Sequence, residues 1–333
     1  MMSSLIRDLS DPASLPDETK SVSVIQTHIS IVIVGDEYVY KIKKAVHFGF
    51  LDFLSLEKRA YYCEQELRLN KRLAENIYIT VIPIRFDGKK FTMVGGAGDE
   101  IREYAVKMRR IPEDLLMKSL YEKGALTGEH LKKVAEVLVS FHASAFRSAE
   151  IDQYGAPERF KVNTDENFEQ VRKYVGVTID SKEFKALETW TESFYSNNQR
   201  LFFNRIREGK VRDCHGDLHM EHICFTDPLS IIDCIEFNDR FRYSDAIADI
   251  AFLLMDLEYH SGGPLAARLW RDYAEGARDE GVESLLIFYK VYRAFVRGKV
   301  NSFQGDDATM GRDEKEEART RAKKYFKLAY SYI

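Results

Sequence analysis

Between Val211 and Phe225 the chain reads VRDCHGDLHMEHICF, crowding three histidines and three carboxylates between apolar flanks. Titratable groups at this density suit a metal cage, a hydrolytic centre or a phosphoryl-transfer loop. For a metal, His215, His219 and His222 offer imidazoles and Cys214 and Cys224 offer sulfur. The spacing departs from the standard zinc motifs, with no HExxH and no Cys-x-x-Cys pair. In the plainest reading the histidines only hydrogen-bond backbone groups.

Phosphoryl transfer accounts for more of the residues. It needs a carboxylate beside the attacking hydroxyl, hard oxygen ligands for Mg²⁺ and a cation on the nucleotide phosphates. HGDLHMEH supplies Asp217 as the carboxylate, and IIDCIEF supplies Asp233 as a second one. The TDP turn at 226–228 lies between them, so a short hairpin is expected to bring Asp217 and Asp233 into one cleft.

Those residues need elements to hold them. SVSVIQTHISIVIV (21–34) is β-branched enough for two strands, and EYVYKIKK (37–44) for a third. Alternation in the third puts Val39, Lys41 and Lys43 on one face and Tyr38, Tyr40 and Ile42 on the other. Ser55 is the expected N-cap of a helix running to about Glu75, with Leu56, Ala60, Cys63, Leu67 and Asn70 or Lys71 along one stripe. Residues 77–94 read as two strands around an Asp87-Gly88 turn, and REYAVKMRRI (102–111) as another strand. Helical spacing follows, first in 129–145 and then over 165–175, 181–206, 245–258, 264–279, 281–300 and 312–332. His142 falls on the apolar side of its helix and is expected in the core.

The whole chain narrows the classes. With 333 residues, 45% hydrophobic and 31% charged, it suits a globular protein of two unequal lobes rather than a disordered one. A net charge of −4 gives no basic surplus for nucleic acid. No apolar run approaches the ~20 residues of a membrane span. The N-terminus has no secretory pattern and the four cysteines no disulfide spacing, so a cytoplasmic protein with reduced thiols is expected.

At this point the motifs carry a resemblance. His215-Gly216-Asp217-Leu218 resembles the HGDxxxxN catalytic loop of the aminoglycoside phosphotransferases, cousins of the protein kinases. The resemblance implies Asp217 as catalytic base, Asp233 as Mg²⁺ ligand, and His222 at the second metal position, where the family expects asparagine. It matches Lys41 in VYKIKK to the phosphate-pairing lysine, with Lys43 as its substitute, and Glu66 to the helical partner, with Glu64 next. YAVKMRR becomes the hinge strand, where Met108 either meets adenine or simply packs. Asp245 or Asp249 in SDAIADIAF braces the catalytic loop, as does His215.

The similarity covers nearly the whole chain. It is closer to a bacterial branch with VYKIKK, FGFLDF, EYAVKMRR and YRAFVRGKV segments, often fused to a C-terminal P-loop domain. No GxxxxGK followed by Ser or Thr occurs here, so the kinase-like part alone is expected. Besides His222, a second departure is the lack of glycine between Ser21 and Val34, where the phosphate-covering loop belongs.

The resemblance implies an α+β, two-lobed, protein-kinase-like fold. Residues 1–110 form an N-lobe of nucleotide-binding sheet plus one helix, and 111–333 a helical C-lobe with the catalytic loop and acceptor site. It implies transfer of the γ-phosphate of ATP, with Mg²⁺, to a hydroxyl of a small-molecule acceptor, with no nucleic-acid or membrane partner. Two other classes stay open: a catalytically weak nucleotide-binding regulatory module, and a metal hydrolase built on His215, His219 and His222. Arg293 and Arg297, with Lys290 and Lys299, form either a solvated helix face or an anionic-substrate contact. Arg240 and Arg242 reach either phosphates or acceptor.

Overall fold

The computed structural model describes residues 2–96, 99–308 and 310–333. The chain divides into two compact units: one of residues up to Ala125 plus Glu221–Asp239, the other of Leu126–Met220 plus Arg240–Ile333. The division falls later than the boundary expected near residue 110, and the 221–239 stretch belongs to the first unit.

The first unit opens with helix α1 (Met2–Leu9) and strands β1 (Ser23–Gln26), β2 (Ser30–Val34) and β3 (Tyr38–Lys43). A small hairpin of β4 (His47–Phe48) and β5 (Leu51–Asp52) leads to α2 (Leu56–Ala74). Then come β6 (Tyr78–Phe86), β7 (Phe91–Thr92), β8 (Glu100–Arg109) and α3 (Met117–Glu122). The main sheet has the order β1-β2-β3-β8-β6-β7, and its described pairs are antiparallel.

Each face of this sheet has its own cover. Leu5 and Leu9 of α1 pack with Ile31, Ile33, Tyr40, Ile42, Ile84 and Ala105 on one face. An eight-residue helix is too short to stand alone in water. Its apolar stripe, at ~1.5–3 kcal/mol per fully buried large side chain, holds it there. On the other face Cys63 and Ala74 of α2 pack against Tyr78 and Val106. The period of two in β3 therefore sends Tyr40 and Ile42 to the α1 side, leaving Lys41 and Lys43 for the α2 side.

Helix α2 starts as its sequence predicts, with the Ser55 side chain accepting from Lys58 N at 3.2 Å. Its buried face differs from the expected stripe. The buried residues are Arg59, Cys63, Glu66, Leu69, Asn70 and Ala74. Cys63 and Asn70 are shared with that stripe, whereas Arg59 and Glu66 take the place of apolar members because they have buried partners. Arg59, for example, pairs with Glu103.

The 221–239 stretch is tied into this unit through its backbone. Ile223–Cys224 pairs with Ser230–Ile231, Phe225 N donates to Leu115 O at 2.8 Å, and Cys234 N donates to Asn70 Oδ1 at 2.9 Å.

The second unit is helical: α4 (Gly128–Ser144), the short α5 (Ala149–Asp152), α6 (Pro157–Val171) and α7 (Ser181–Arg207), then the one-turn α8 (Asp239–Arg242) at its border. After these come α9 (Ala246–Tyr259), α10 (Gly263–Ala277), α11 (Glu283–Asp306) and α12 (Arg312–Ser331). Phe168, Leu187, Phe252, Met255, Ala294, Phe295, Ala322 and Phe326 share one core. Gly298 lets α11 approach α12 closely: a Cβ there would lie 2.6 Å from Phe326 Cε1. Among the described residues no helix is long and apolar enough to cross a membrane.

Candidate active site

The side chains singled out in the sequence fall into two groups, one in each unit. In the first unit, Lys41 Nζ lies 2.5 Å from Asp233 Oδ1 and 2.9 Å from Glu66 Oε1. Only the Asp233 contact has hydrogen-bond alignment, since Glu66 Oε1 accepts none. Lys43 Nζ donates to Glu66 Oε2 at 2.7 Å and to Glu236. Lys41 and Lys43 therefore share Glu66, and neither is a spare for the other.

Neighbouring charges shift Lys41, Lys43 and Glu66 towards their charged forms, and Glu236 the other way. Burial works against the charge on Lys41 and Lys43, but Asp233 and Glu66 around the first, and Glu236 and Glu66 around the second, outweigh it and raise both. Burial likewise opposes the Glu66 carboxylate, yet the two ammonium groups bring it below the ordinary glutamate value. Glu236 goes the other way, with burial pushing its carboxyl up despite Lys43. Sequence reading missed Glu236; its placement three residues after Asp233 in IIDCIEF was the available signal.

Asp233 is held in an uncommon backbone state, φ +62°. Such a left-handed non-glycine residue is strained by the order of 1–3 kcal/mol and needs neighbours that fix it. Asp233 N donates to Tyr78 OH at 3.1 Å, and the next residue is pinned by Asn70. The carboxylate stays 42% exposed, whereas Glu66 and Lys43 are fully buried. His222 Nε2 stands 3.5 Å from Asp233 Oδ2, so the two expected metal residues are together. Met108 sits on β8 opposite Val39 and Tyr78, half-buried against the α2-side core. At the β1–β2 turn, which has no glycine, Thr27 Oγ1 accepts from Ser30 N at 3.0 Å.

In the second unit the HGD loop is strapped from below. Asp249 Oδ2 accepts from His215 N at 2.6 Å, and Oδ1 from Gly216 N at 2.8 Å. Of the two candidates for that brace, Asp249 makes it. Asp245 instead caps α9 and takes a two-pronged bond from Arg205, both prongs at 2.8 Å. Burial pushes the Asp249 carboxyl up, but His142, His215 and Arg293 outweigh it and bring it down to about 2. Gly216 has φ +88°, which a side chain rarely adopts, so the turn that presents Asp217 requires glycine.

Arg293 fixes the same loop, donating to Gly216 O at 2.8 Å and Ala248 O at 3.1 Å. It is a positioning residue, not part of a solvated face or a free anion contact. Arg242 pairs with Asp213, and Arg240 grips Glu166 at 2.9 and 2.6 Å. His142 is core, as expected, hydrogen-bonded to Tyr273 OH at 2.8 Å. Asp217 itself is half-buried, with His219 Nε2 3.6 Å from its Oδ2. Burial opposes protonation of His219, but Asp217 outweighs it and raises the imidazole above its ordinary value.

Comparison with known proteins extends these observations. Curated relatives in Mycobacterium tuberculosis and Mycobacterium bovis, both called uncharacterized, are 32% identical over 280 residues. The alignment takes in 84% of this chain and 54% of theirs, so the chain spans about half the length of the curated relatives it matches. Among solved structures, an aminoglycoside phosphotransferase described as putative, from Ralstonia eutropha, superposes with TM-score 0.56 at 14% identity, covering 96% of this chain and 94% of that one. A choline/ethanolamine kinase family protein from Mesorhizobium loti gives 0.53 at 12%, covering 100% and 99%. An amicoumacin kinase solved with AMP-PNP and Ca²⁺ gives 0.54 at 13%, covering 92% and 88%. These likenesses show the fold: a kinase-like pairing of an antiparallel-sheet lobe with a helical lobe. A model of the phosphotransferase enzyme family matches residues 54–284, a span that holds Glu66, Asp217 and Asp233, and the chain belongs to that family.

Proposed function

We propose that this chain transfers the γ-phosphate of ATP to a hydroxyl of a small molecule, with Mg²⁺ as cofactor. The observation that carries the reading is Lys41, set between the buried Glu66 and the open carboxylate of Asp233. In a phosphotransferase family this arrangement suits a cation for nucleotide phosphates beside a ligand for a metal. The neighbour solved with AMP-PNP and Ca²⁺ points the same way.

The residues fit a divalent cation. Asp233 is a hard oxygen donor, is the exposed member of its group, and already faces a positive charge, that of Lys41. His222 would be the second donor. A bound Mg²⁺ supplies neutralisation of charge on the phosphates. The first unit then takes the nucleotide, with Lys41 on its phosphates and Met108 beside the base, and the second unit offers Asp217 to the acceptor. Only four residues lie between Asp217 and His222 in the sequence.

The transfer balances simply. The bond from γ-phosphorus to its bridging oxygen breaks, a bond to the acceptor oxygen forms, the hydroxyl proton passes to Asp217, and ADP leaves. Little covalent help is needed, so rate comes from positioning and fixed charge. The cytoplasm suits a chain whose four cysteines are all free and buried.

The test is turnover with Mg²⁺, ATP and a library of hydroxyl compounds, following ADP release and phosphorylated product by mass spectrometry. Asp217→Asn is expected to lower turnover by roughly 10²–10⁴ and to leave Mg²⁺-dependent ATP binding in place. Equal turnover by Asp217→Asn overturns the assignment. The asparagine-to-histidine departure at His222 favours one rival, a regulatory nucleotide-binding module. Tight ATP binding with no product from any acceptor would select it.

A further inference from the structure

Helix α11 carries three basic residues between 293 and 299, and they meet different fates. Arg293 holds the backbone of the HGD loop. Lys299 donates to Asn167 Oδ1 at 2.6 Å and Gln170 Oε1 at 2.9 Å. Arg297, one turn beyond Arg293, has no such use. Its Nε is buried and has no hydrogen-bond partner among the described residues. Its guanidinium carbon lies 5.5 Å from the ring centre of Tyr325, which stacks on Tyr259 at 3.7 Å and 11°. The charges of Tyr325, Asp217 and Asp256 act on it, and its own charge opposes protonation of His219.

Tyr325, Asp217 and Asp256 support the charge, but the buried Nε is left unmatched in the free protein. A guanidinium has five donors in a rigid fork and no way to shed its charge. Burying one with a donor unmatched is penalised by several kcal/mol before compensation. It also works against the base, because a nearby cation stabilises the Asp217 carboxylate and makes it a poorer proton acceptor. An anion would reverse both effects, since a carboxylate or phosphate meets the fork with two parallel bonds and offsets the charge beside Asp217.

We infer that Arg297, assisted by His219, forms an anion-recognition subsite next to Asp217, so that the acceptor carries a carboxylate or phosphate near its reacting hydroxyl. The word acceptor rests on the phosphotransferase reading; the anion subsite does not. A polycationic acceptor meets repulsion here.

Binding and turnover test the two separately. Inorganic phosphate and malate are titrated by calorimetry into the wild type, Arg297→Met, Arg297→Lys and Lys41→Met. Affinity is expected to fall roughly tenfold or more in Arg297→Met, to fall less in Arg297→Lys, which keeps charge but loses the fork, and to hold in Lys41→Met. The Arg297→Met melting temperature should stay close to the wild type, because losing the support of Tyr325, Asp217 and Asp256 is offset by removing an unmatched buried donor; a structural brace would lower it markedly. If Arg297→Met does not fold, Arg297→Lys decides, and undiminished binding there overturns the subsite. So does anion binding that disappears only in Lys41→Met. In turnover, hydroxy acids and sugar phosphates are compared with their methyl esters and dephosphorylated forms. The acceptor KM should rise in Arg297→Met with the ATP KM unchanged. Transfer to the neutral forms at equal or better efficiency sinks the subsite and leaves the kinase intact. Arg297-dependent anion binding with no transfer to any acceptor sinks the kinase and leaves the subsite.

Discussion

At the scale of single residues, two neighbouring lysines on one strand face have opposite exposures to failure. Lys43 is buried against Glu66 and Glu236, both buried as well. Removing it leaves two carboxylates in the interior with one ammonium near one of them, and breaking a buried pair in this way typically destabilises by about 3–5 kcal/mol. Lys41 leads outward to Asp233, which water reaches, and without it Glu66 keeps Lys43. Lys43→Met should therefore lower the melting temperature markedly, while Lys41→Met should spare stability and abolish most phosphotransfer. Thermal melts beside initial rates check this, and the reverse order would exchange the roles of the two residues. The sequence names both lysines, because period-two alternation puts them on one face. It cannot rank them, because the ranking depends on Glu236, 193 positions away from Lys43.

At the scale of elements, the HGD-loop backbone belongs as much to the helices beneath it as to its own sequence. Asp249 at the start of α9 accepts both amides that shape the HGD turn, and Arg293 of α11 holds a carbonyl of the same turn. Because the carboxyl of Asp249 stands at about 2 in the folded state against an ordinary 3.8, this group stabilises the fold fully above the ordinary value. That stabilisation is lost as pH falls from 3.8 towards 2, and by linkage it amounts to about 2 kcal/mol. Asp249→Asn should show a flatter loss of stability over that window in pH-dependent denaturant unfolding. At neutral pH it should lose turnover through a misplaced Asp217, with the nucleotide affinity kept. An unchanged acid profile would show that the carboxylate is not what holds the turn. Local signals announce α9 well, since SDAIADIAF gives a capping aspartate and an apolar run. They announce α1 poorly, because a short amphipathic helix is stable only against the sheet face it covers. They mislead in part on α2, because Arg59 and Glu66 line its buried face beside the expected Cys63 and Asn70, and a hydrophobic count passes them over.

At the scale of the whole molecule, the kinase-like architecture was legible from the motif series, because each motif needs its own kind of element: lysine on a strand, glutamate on a helix, aspartate at a tight turn. The assignment of 221–239 to the sheet-bearing unit was not, because it depends on long-range backbone bonds to Tyr78, Asn70 and Leu115. This division gives a prediction that distinguishes the units. Ligand that binds the folded state alone stabilises it by about 2.7 kcal/mol at a concentration 100 times its Kd. With Mg²⁺ and an ATP analogue, slowed amide exchange should therefore concentrate in β3, α2 and 221–239, including the amides of Asp233 and Cys234. A hydroxyl acceptor added afterwards should extend protection to the loop at 215–220. Asp233→Asn should remove the Mg²⁺ dependence of the first effect, because it takes away the one open carboxylate of that group. Protection that begins in the helical unit on addition of nucleotide, or that ignores Mg²⁺ in the wild type, would place the nucleotide elsewhere and detach Asp233 from the metal.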